Sequence, residues 1–114
     1  MSTKNNIESQ MRKGVLEFCI LSILDNRHAY ASDIIKQLKD AKLIVVEGTL
    51  YPLLTRMKNS GLLTYYWEES KQGPPRKYYS LTDEGEKFHN ELKDTWNNMV
   101  ESVNLITTKT KENE

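Results

Sequence analysis

Cysteine is almost absent from the sequence: Cys19 is the single one, so no disulfide can form within the chain. Long apolar runs are also missing. The longest, around residues 15–24, is far shorter than the roughly 20 residues that span a bilayer, and the polar segment 1–10 lacks the apolar centre of a signal peptide. These absences predict a cytoplasmic protein in a reducing compartment, with no membrane partner.

Motifs of catalysis and metal binding are missing as well. The sequence contains no G-x-G-x-x-G, no P-loop, no G-x-S-x-G and no spacing typical of metal ligands. His28 is predicted in a loop and His89 on a polar helix face, and neither is beside Cys19 or a Ser–Asp pair in the sequence. We therefore predict a protein that is not an enzyme and needs no cofactor or metal, with Cys19 as a small buried apolar residue.

Net charge is zero, but the charges are unevenly distributed along the chain. Residues 1–80 contain 12 Lys and Arg against 8 Asp and Glu, whereas residues 81–114 contain 4 against 8. A nucleic acid responds to the local field rather than to the summed charge, so the basic first part remains compatible with such a partner. The 114 residues suit one compact domain.

Hydrophobic periodicity predicts two helices in the first part of the chain. One, from about residue 10 to 25, has apolar residues on nearly its whole circumference, which is typical of a helix buried on most sides. The next, from about residue 30 to 40, has a single apolar face. A run rich in β-branched residues at 43–46 then predicts a short extended strand.

A third helix follows, and Pro52 restricts where it begins. Proline lacks an N–H and clashes with the carbonyl four residues earlier, so it is tolerated only in the first turn. We therefore expect the helix to begin near Gly48 or Thr49, with Glu47 or Gly48 as its N-cap. Gly61 supplies the left-handed residue that ends it.

Two segments rich in aromatic residues predict a β-hairpin. Residues 62–68 read LLTYYWE and residues 77–81 read KYYSL, and ESKQGPPR separates them. Their composition favours strands, and the prolines lie at the tip, where no ladder hydrogen bond is lost. The hairpin therefore has a stiff tip surrounded by positive charge.

The last helix is predicted to begin after Thr82, whose hydroxyl can cap it. From residue 83 to 107 it would be roughly 37 Å long at ~1.5 Å per residue, whereas a domain of this size has a radius of gyration of only about 13 Å. Such a helix extends beyond its own domain. Its apolar residues recur at steps of three and four, close to a heptad pattern, and they predict a homodimer interface made of Phe88, Leu92, Trp96, Met99, Val103 and Ile106.

The order of these elements is that of a winged helix-turn-helix, in which the third helix enters the major groove of DNA. The predicted fold is mainly α with a small β part (α+β). It comprises a DNA-binding domain at residues 10–81 with a two-stranded wing, one long C-terminal dimerisation helix at residues 82–108, and a frayed tail at residues 109–114. The stiff basic turn would be the wing, in contact with phosphates.

Residues 47–69, EGTLYPLLTRMKNSGLLTYYWEE, and residues 73–86, GPPRKYYSLTDEGE, together resemble the PadR family of bacterial transcriptional regulators. The resemblance covers about residues 11–86, and the single C-terminal helix is similar to that of the small subfamily. It implies a homodimeric, ligand-responsive repressor that reads an inverted repeat. Trp96 resembles the tryptophan with which multidrug-sensing members stack flat aromatic ligands across the dimer, although the acid that follows it by one turn in those members is Val100 here.

Candidate DNA contacts follow from the fold and from the resemblance. Hydroxyls and cations on the third helix can bond phosphates or base edges, and cations of a wing make sequence-independent phosphate contacts. The same side chains would also suit an ordinary solvated surface, and a winged helix that binds a protein rather than double-stranded DNA is the alternative function. The candidates are Thr49, Tyr51, Thr55 and Arg56 in the third helix, Lys71, Gln72, Arg76 and Lys77 in the wing, and Arg12 and Lys13 in the first helix.

Trp96 is also the candidate ligand site that the resemblance implies. A small planar aromatic effector would stack on its indole ring, with Met11, Val15 and Phe18 of the first helix as pocket walls. The alternative is a closed dimer core in which Trp96 only packs, because aromatic residues at helical spacing are often core residues. The sequence leaves both alternatives open.

Overall fold

The structure is a computed structural model that describes residues 3–44, 46–70 and 72–108. It is mainly helical with one small antiparallel sheet, as predicted, whereas the predicted frayed tail at 109–114 lies outside the described residues. No helix in the described ranges combines the length and the apolar character needed to cross a bilayer. In chain order the elements are α1 (Thr3–Ile23), β1 (Ala29–Tyr30), α2 (Ala31–Asp40), a 3₁₀ turn (Glu47–Thr49), α3 (Leu50–Asn59), β2 (Leu63–Glu68), β3 (Arg76–Leu81) and α4 (Asp83–Thr107).

Helices α1, α2 and α3 enclose the hydrophobic core, and their buried residues recur at helical spacing. Burial of one such Leu or Ile side chain contributes about 1.5–3 kcal/mol, so this core holds α3 firmly against the two preceding helices. The largest fully buried side chains are Ile20, Leu21, Leu24, Ile34, Leu38, Leu50, Leu54 and Met57.

Helix α1 differs from its prediction in both length and burial. It begins at Thr3, earlier than predicted, and Met11 is 70% exposed, so the helix is not buried on most sides. The apolar residues around its circumference instead contact two parts of the molecule, the core and helix α4. Ile20 belongs to the core, whereas the Phe18 ring lies 6.2 Å from the ring of Trp96 in α4.

The predicted hairpin is present, and its two strands form the wing. Strands β2 and β3 pair in antiparallel fashion, from Leu63 opposite Leu81 to Glu68 opposite Arg76. A third strand, β1, pairs with the other side of β3. Strand β1 was not predicted, because two residues are too short to show the alternation that identifies a strand.

The segment between α2 and α3 is not the strand that its composition predicts. None of its described residues, 43, 44 and 46, is assigned to a strand, although Val46 has extended dihedral angles (φ −116°, ψ 126°). The Leu43 N–H donates to the Leu38 carbonyl at 2.8 Å and closes the end of α2. The prediction is wrong because the described part of this segment ends one helix and starts the next, and it pairs with none of the three strands of the sheet.

Helix α3 begins through the 3₁₀ turn, and Thr49 is its N-cap. The prediction that Pro52 lies in the first turn is therefore confirmed. The α-helical N-cap comes slightly later than the Glu47 or Gly48 predicted, because the chain first closes a tighter turn with a hydrogen bond from the Thr49 N–H to the Val46 carbonyl, at 3.1 Å.

The other end of α3 has the predicted glycine cap. Gly61 has a φ of +83°, a conformation that other residues rarely adopt. The Leu62 N–H donates to the Met57 carbonyl and the Gly61 N–H to the Lys58 carbonyl, both at 3.0 Å. This is the Schellman arrangement, and it turns the chain directly from α3 into β2.

Helix α4 is joined to the base of the hairpin by Thr82 and Gly85. The Thr82 hydroxyl accepts a hydrogen bond from the Gly85 N–H at 2.9 Å, which confirms the predicted cap. The Thr82 N–H in turn donates to the Leu62 carbonyl at 3.1 Å. Every described residue after Leu92 is exposed, and the described part of the chain measures 65 × 36 × 21 Å. Helix α4 therefore extends beyond the domain, as its length predicts.

His89 of α4 is buried, although the sequence predicts it on a polar helix face. It is 4% exposed, and its Nε2 lies 2.9 Å from the Ser22 Oγ of α1. The Ser22 hydroxyl donates to the Phe18 carbonyl at 2.9 Å, so the imidazole N–H is the donor to Oγ. The prediction is wrong because the first turns of α4 pack against α1, where a hydrogen-bonded imidazole is tolerated.

Candidate nucleic-acid interface

A cleft of about 350 Å³ lies between α3 and the wing. Helix α3 contributes Tyr51, which is 53% exposed, and the wing contributes Trp67, Pro75, Arg76 and Lys77. The Gly61 cap leads the chain from α3 straight into β2, so helix and hairpin lie side by side. Tyr51 of the predicted α3 contacts therefore lines one cleft together with Arg76 and Lys77 of the predicted wing contacts.

The Arg76 guanidinium lies over an aromatic ring of the neighbouring strand. Its Cζ atom is 3.8 Å from the centroid of the Tyr30 ring, a cation–π contact. The Tyr30 hydroxyl donates to the Glu68 Oε1 at 2.5 Å. This hydrogen bond is the main reason why the pKa of Tyr30 is raised, and the positive charge of Arg76 opposes the shift. Tyr30, Glu68 and Arg76 thus form one cluster of side chains on the outer face of the sheet.

Lys77 points to the opposite face of β3, because successive residues of a strand alternate. Its Nζ atom lies 4.4 Å from the centroid of the Tyr65 ring and 5.5 Å from that of Trp67. The Tyr65 and Trp67 rings are themselves 6.0 Å apart at nearly a right angle. Aromatic contacts therefore restrict the ammonium group while its charge stays accessible from the cleft.

Arg12 and Lys13 of α1 lie near the beginning of α3. Together with Thr49 they line a second, smaller depression of about 150 Å³. The core packing of α1 against α3 explains why side chains distant in sequence meet here. These three predicted contacts form one continuous surface, at the end of α3 that would enter a groove.

Thr55 and Arg56 extend the exposed side of α3 beyond Tyr51, and all three line a third, open depression. The Arg56 Nη2 lies 3.4 Å from the Glu17 Oε1 of α1, and both side chains are largely exposed. An exposed ion pair of this kind is worth at most about 1 kcal/mol. A phosphate could therefore displace Glu17 from Arg56 at little cost.

The structure describes one of the two predicted DNA contacts at the tip of the wing. Lys71 lies outside the described residues. Gln72 is exposed, and its N–H donates to the Ser70 hydroxyl at 3.3 Å. Gly73 has a φ of +123°, which suits glycine alone, so the tip bends sharply before the two prolines.

Sequence reasoning missed several residues at this surface, among them Trp67, Ser32 and Tyr30, which all line the cleft. Trp67 lies in the cleft, and its alternation with Tyr65 along β2 could have placed it on the face of the sheet that carries Lys77. Ser32 lines the cleft from the start of α2, and no local pattern indicates this, because β1 was not recognised. Two α2 lysines were also omitted, but both are paired: Lys36 with Asp40 and Lys39 with Glu47.

The predicted dimer surface on α4 is exposed in the single chain. Phe88 is 37% exposed, and the exposure rises to 53% at Met99 and 67% at Ile106. Leu92 alone of the six predicted residues packs partly against the core. Apolar side chains in a continuous row on a helix need a covering partner, and we call this row the α4 stripe.

Trp96 lies at a shallow depression of about 190 Å³ between α1 and α4. Of the predicted walls, Val15 and Phe18 line it, whereas Met11 does not. Met11 lies one turn before Val15 in α1, and its side chain is 70% exposed. Trp96 is 41% exposed, so one part of the indole is free in the single chain. Ligand pockets usually measure about 300–1,000 Å³, and the depression is smaller.

A three-helix core whose third helix shares a cleft with a basic two-stranded wing defines a winged helix-turn-helix protein of the DNA-binding class. Comparison with known proteins identifies the family. Residues 20–91 match the model of the transcriptional regulator PadR-like family, and the chain belongs to this family of DNA-binding regulators. Since its members regulate transcription, the prediction that the protein is not an enzyme is confirmed.

Solved structures support the assignment over most of the chain. A PadR-like transcription factor from Bacteroides fragilis is 63% identical, with 89% of this chain and 98% of that chain covered and a TM-score of 0.73. A PadR family regulator from Eggerthella lenta is 32% identical, with 90% of each chain covered and a TM-score of 0.80. A PadR-like regulator from Bacillus cereus is 39% identical, with 86% and 96% covered and a TM-score of 0.75.

Proposed function

We propose that the protein is a repressor that binds an inverted repeat in double-stranded DNA as a homodimer. The observation that carries the proposal is the cleft in which Tyr51 of α3 meets Arg76 and Lys77 of the wing. A recognition helix in the major groove reads base edges, while cations at its side contact phosphates. The cleft presents both kinds of group to one duplex.

Each predicted residue has a role in this proposal. Hydroxyls of Thr49, Tyr51 and Thr55 bond base edges or phosphates in the major groove. The remaining residues contact the phosphate backbone, since they are cations or amides on exposed surfaces around α3: Arg12, Lys13, Arg56, Gln72, Arg76 and Lys77, with Lys71 proposed from the sequence alone.

Self-association supplies the second DNA-binding domain, which would bind the second half of the inverted repeat. The α4 stripe is exposed except at Leu92, which packs partly against the core, and a second copy would cover it by an antiparallel or parallel helix contact. In such a dimer the two α3 helices would lie about 34 Å apart, one turn of DNA. A planar aromatic effector bound at Trp96, between α1 and α4, would change this distance and release the operator.

The test of DNA binding is a salt titration with a labelled duplex from the region upstream of the protein's own gene. The Arg76→Ala, Lys77→Ala double variant should lower the slope of log affinity against log salt by roughly two, about one for each phosphate contact. The matched control is the Lys87→Ala, Lys93→Ala double variant, which removes the same charge from exposed positions on α4.

Three outcomes separate the alternatives. A reduced slope only in the wing variant supports the proposed contacts. Equal slopes for the wing variant and the wild type would contradict the wing assignment. A protein that binds no duplex at any salt concentration would instead be a winged-helix module for a protein partner.

A further inference from the structure

Glu68 and Arg76 are directly opposite each other in the β2–β3 ladder. Opposite charges at such positions attract and commonly form a cross-strand ion pair. The ion pairs found among the described residues do not include this one. The Glu68 carboxylate instead accepts a hydrogen bond from a third side chain.

That group is Tyr30, the second residue of the short strand β1. Its hydroxyl donates to the Glu68 Oε1 at 2.5 Å, and its ring lies 3.8 Å below the Arg76 Cζ. One side chain thus contacts the carboxylate with its polar end and the guanidinium with its aromatic face. Arg76 acts on the Tyr30 hydroxyl through its charge and a side-chain hydrogen bond, and the remaining N–H groups of its guanidinium can donate to another acceptor.

The position of Tyr30 is set by several contacts outside this group. Its backbone pairs with Tyr78 in the β1–β3 ladder, and its ring packs 4.7 Å from the Tyr78 ring. Its N–H donates to the Asp33 Oδ2 of α2 at 3.1 Å. These contacts hold the Tyr30 ring in place independently of Arg76.

We propose that Tyr30 is a positioning residue of the DNA interface: it holds the Glu68 carboxylate by a hydrogen bond and the Arg76 guanidinium by stacking, so that Arg76 is presented to a DNA phosphate and is not neutralised by Glu68. This inference rests on the proposed function, which assigns Arg76 a phosphate contact. It adds that a neutral hydroxyl on β1 controls how much of the wing's charge is available.

The test removes the hydroxyl alone. Tyr30→Phe keeps the ring and frees Glu68, which then pairs with Arg76. We expect binding to a labelled duplex of arbitrary sequence to weaken about two- to fivefold, since an exposed ion pair competes with one phosphate contact. Glu68→Gln in the Tyr30→Phe background should restore the affinity, because the competing charge is gone. Glu68→Gln alone should not weaken binding.

Tyr66→Phe is the matched control. Tyr66 lies on the same face of the sheet, 5.4 Å from the Tyr78 ring, and no hydrogen bond from its hydroxyl is found in the described part of the chain. This variant should bind as the wild type does. Thermal unfolding of all variants shows whether any loss of binding comes from a loss of fold.

The results distinguish this inference from the proposed function. If Arg76→Ala weakens binding while Tyr30→Phe does not, Tyr30 has no positioning role and the DNA interface stands. If Tyr30→Phe weakens binding and Glu68→Gln does not rescue it, competition by Glu68 is refuted. If Arg76→Ala itself changes nothing, the wing contact fails and this inference fails with it.

Discussion

Each of the two described cations at the base of the wing lies against an aromatic ring, Arg76 at 3.8 Å from the Tyr30 centroid and Lys77 at 4.4 Å from that of Tyr65. Flexible side chains lose conformational entropy when they bind, and stacking reduces that loss in advance. Cys19, in contrast, lines none of the depressions found among the described residues. It is half-buried, and burial raises the pKa of its thiol, which makes it a poor nucleophile.

Trp96 provides the test of the effector at the residue scale. In a Trp67→Phe background, which leaves Trp96 as the single tryptophan, we expect the planar dye proflavine to quench the fluorescence in a saturable way. Val15→Arg places a charge in the apolar depression and should weaken this binding at least about tenfold. The measurement is a fluorescence titration at constant protein concentration.

Asn97→Arg is the control for this titration. It carries the same new charge beside Trp96 in sequence, but at an exposed position outside the depression, and it should keep the saturable quenching. Linear quenching in the Trp67→Phe protein itself would leave Trp96 as a packing residue of a closed interface.

At the scale of elements, the junction between α4 and the hairpin determines the direction of the long helix. The Leu62 carbonyl accepts from the Thr82 N–H, and Gly85 passes so near this carbonyl that a Cβ atom would be 2.1 Å from its oxygen. Both partners are backbone atoms, so neither can move without moving its whole element. One turn later, the hydrogen bond between the buried His89 and the exposed Ser22 holds α4 to α1.

We predict that Gly85→Ala destabilises the protein by about 1–3 kcal/mol, because the methyl group is forced against the Leu62 carbonyl. Urea unfolding followed by circular dichroism measures this change. Gly14→Ala is the matched control, since a Cβ atom there meets nothing within 4 Å. It should be neutral or stabilise helix α1 by roughly 0.5–1 kcal/mol. Equal stability of the two variants would contradict the close approach at Gly85.

At the scale of the whole molecule, the single chain is elongated. Its radius of gyration of 17.1 Å exceeds the approximately 13 Å of a compact domain of this length. Helix α4 contributes to the excess, since its described residues after Leu92 are all exposed. A free monomer would leave the α4 stripe in water, and this is the physical reason for the proposed homodimer.

Val103→Glu tests the dimer. A carboxylate buried in an apolar helix contact without a partner is costly, so we expect the dimer dissociation constant to rise at least about tenfold. Sedimentation velocity over a range of concentrations measures it. Asn97→Glu places the same charge on the other side of α4 and should leave self-association unchanged. A wild-type protein that sediments as a single chain at all concentrations would refute the homodimer.

Local chemistry explains which features were predictable. Pro52 restricts the start of α3, Gly61 ends it, and Thr82 caps α4, because each of these effects acts within one helical turn. The aromatic segments predicted the β2–β3 hairpin, since its pairing is also local. Strand β1 could not be predicted in this way, because its pairing with β3 joins residues far apart in the sequence.

The sequence by itself determined the class of fold, the family, the end of α3 and the start of α4, because these depend on periodicity and on residues with special backbone behaviour. The tertiary structure alone decided that Tyr51, Arg76 and Lys77 share a cleft, that Met11 lies away from the Trp96 depression, and that His89 is buried against Ser22. Such contacts join distant segments, and their geometry follows from how the helices pack around one core rather than from any local pattern.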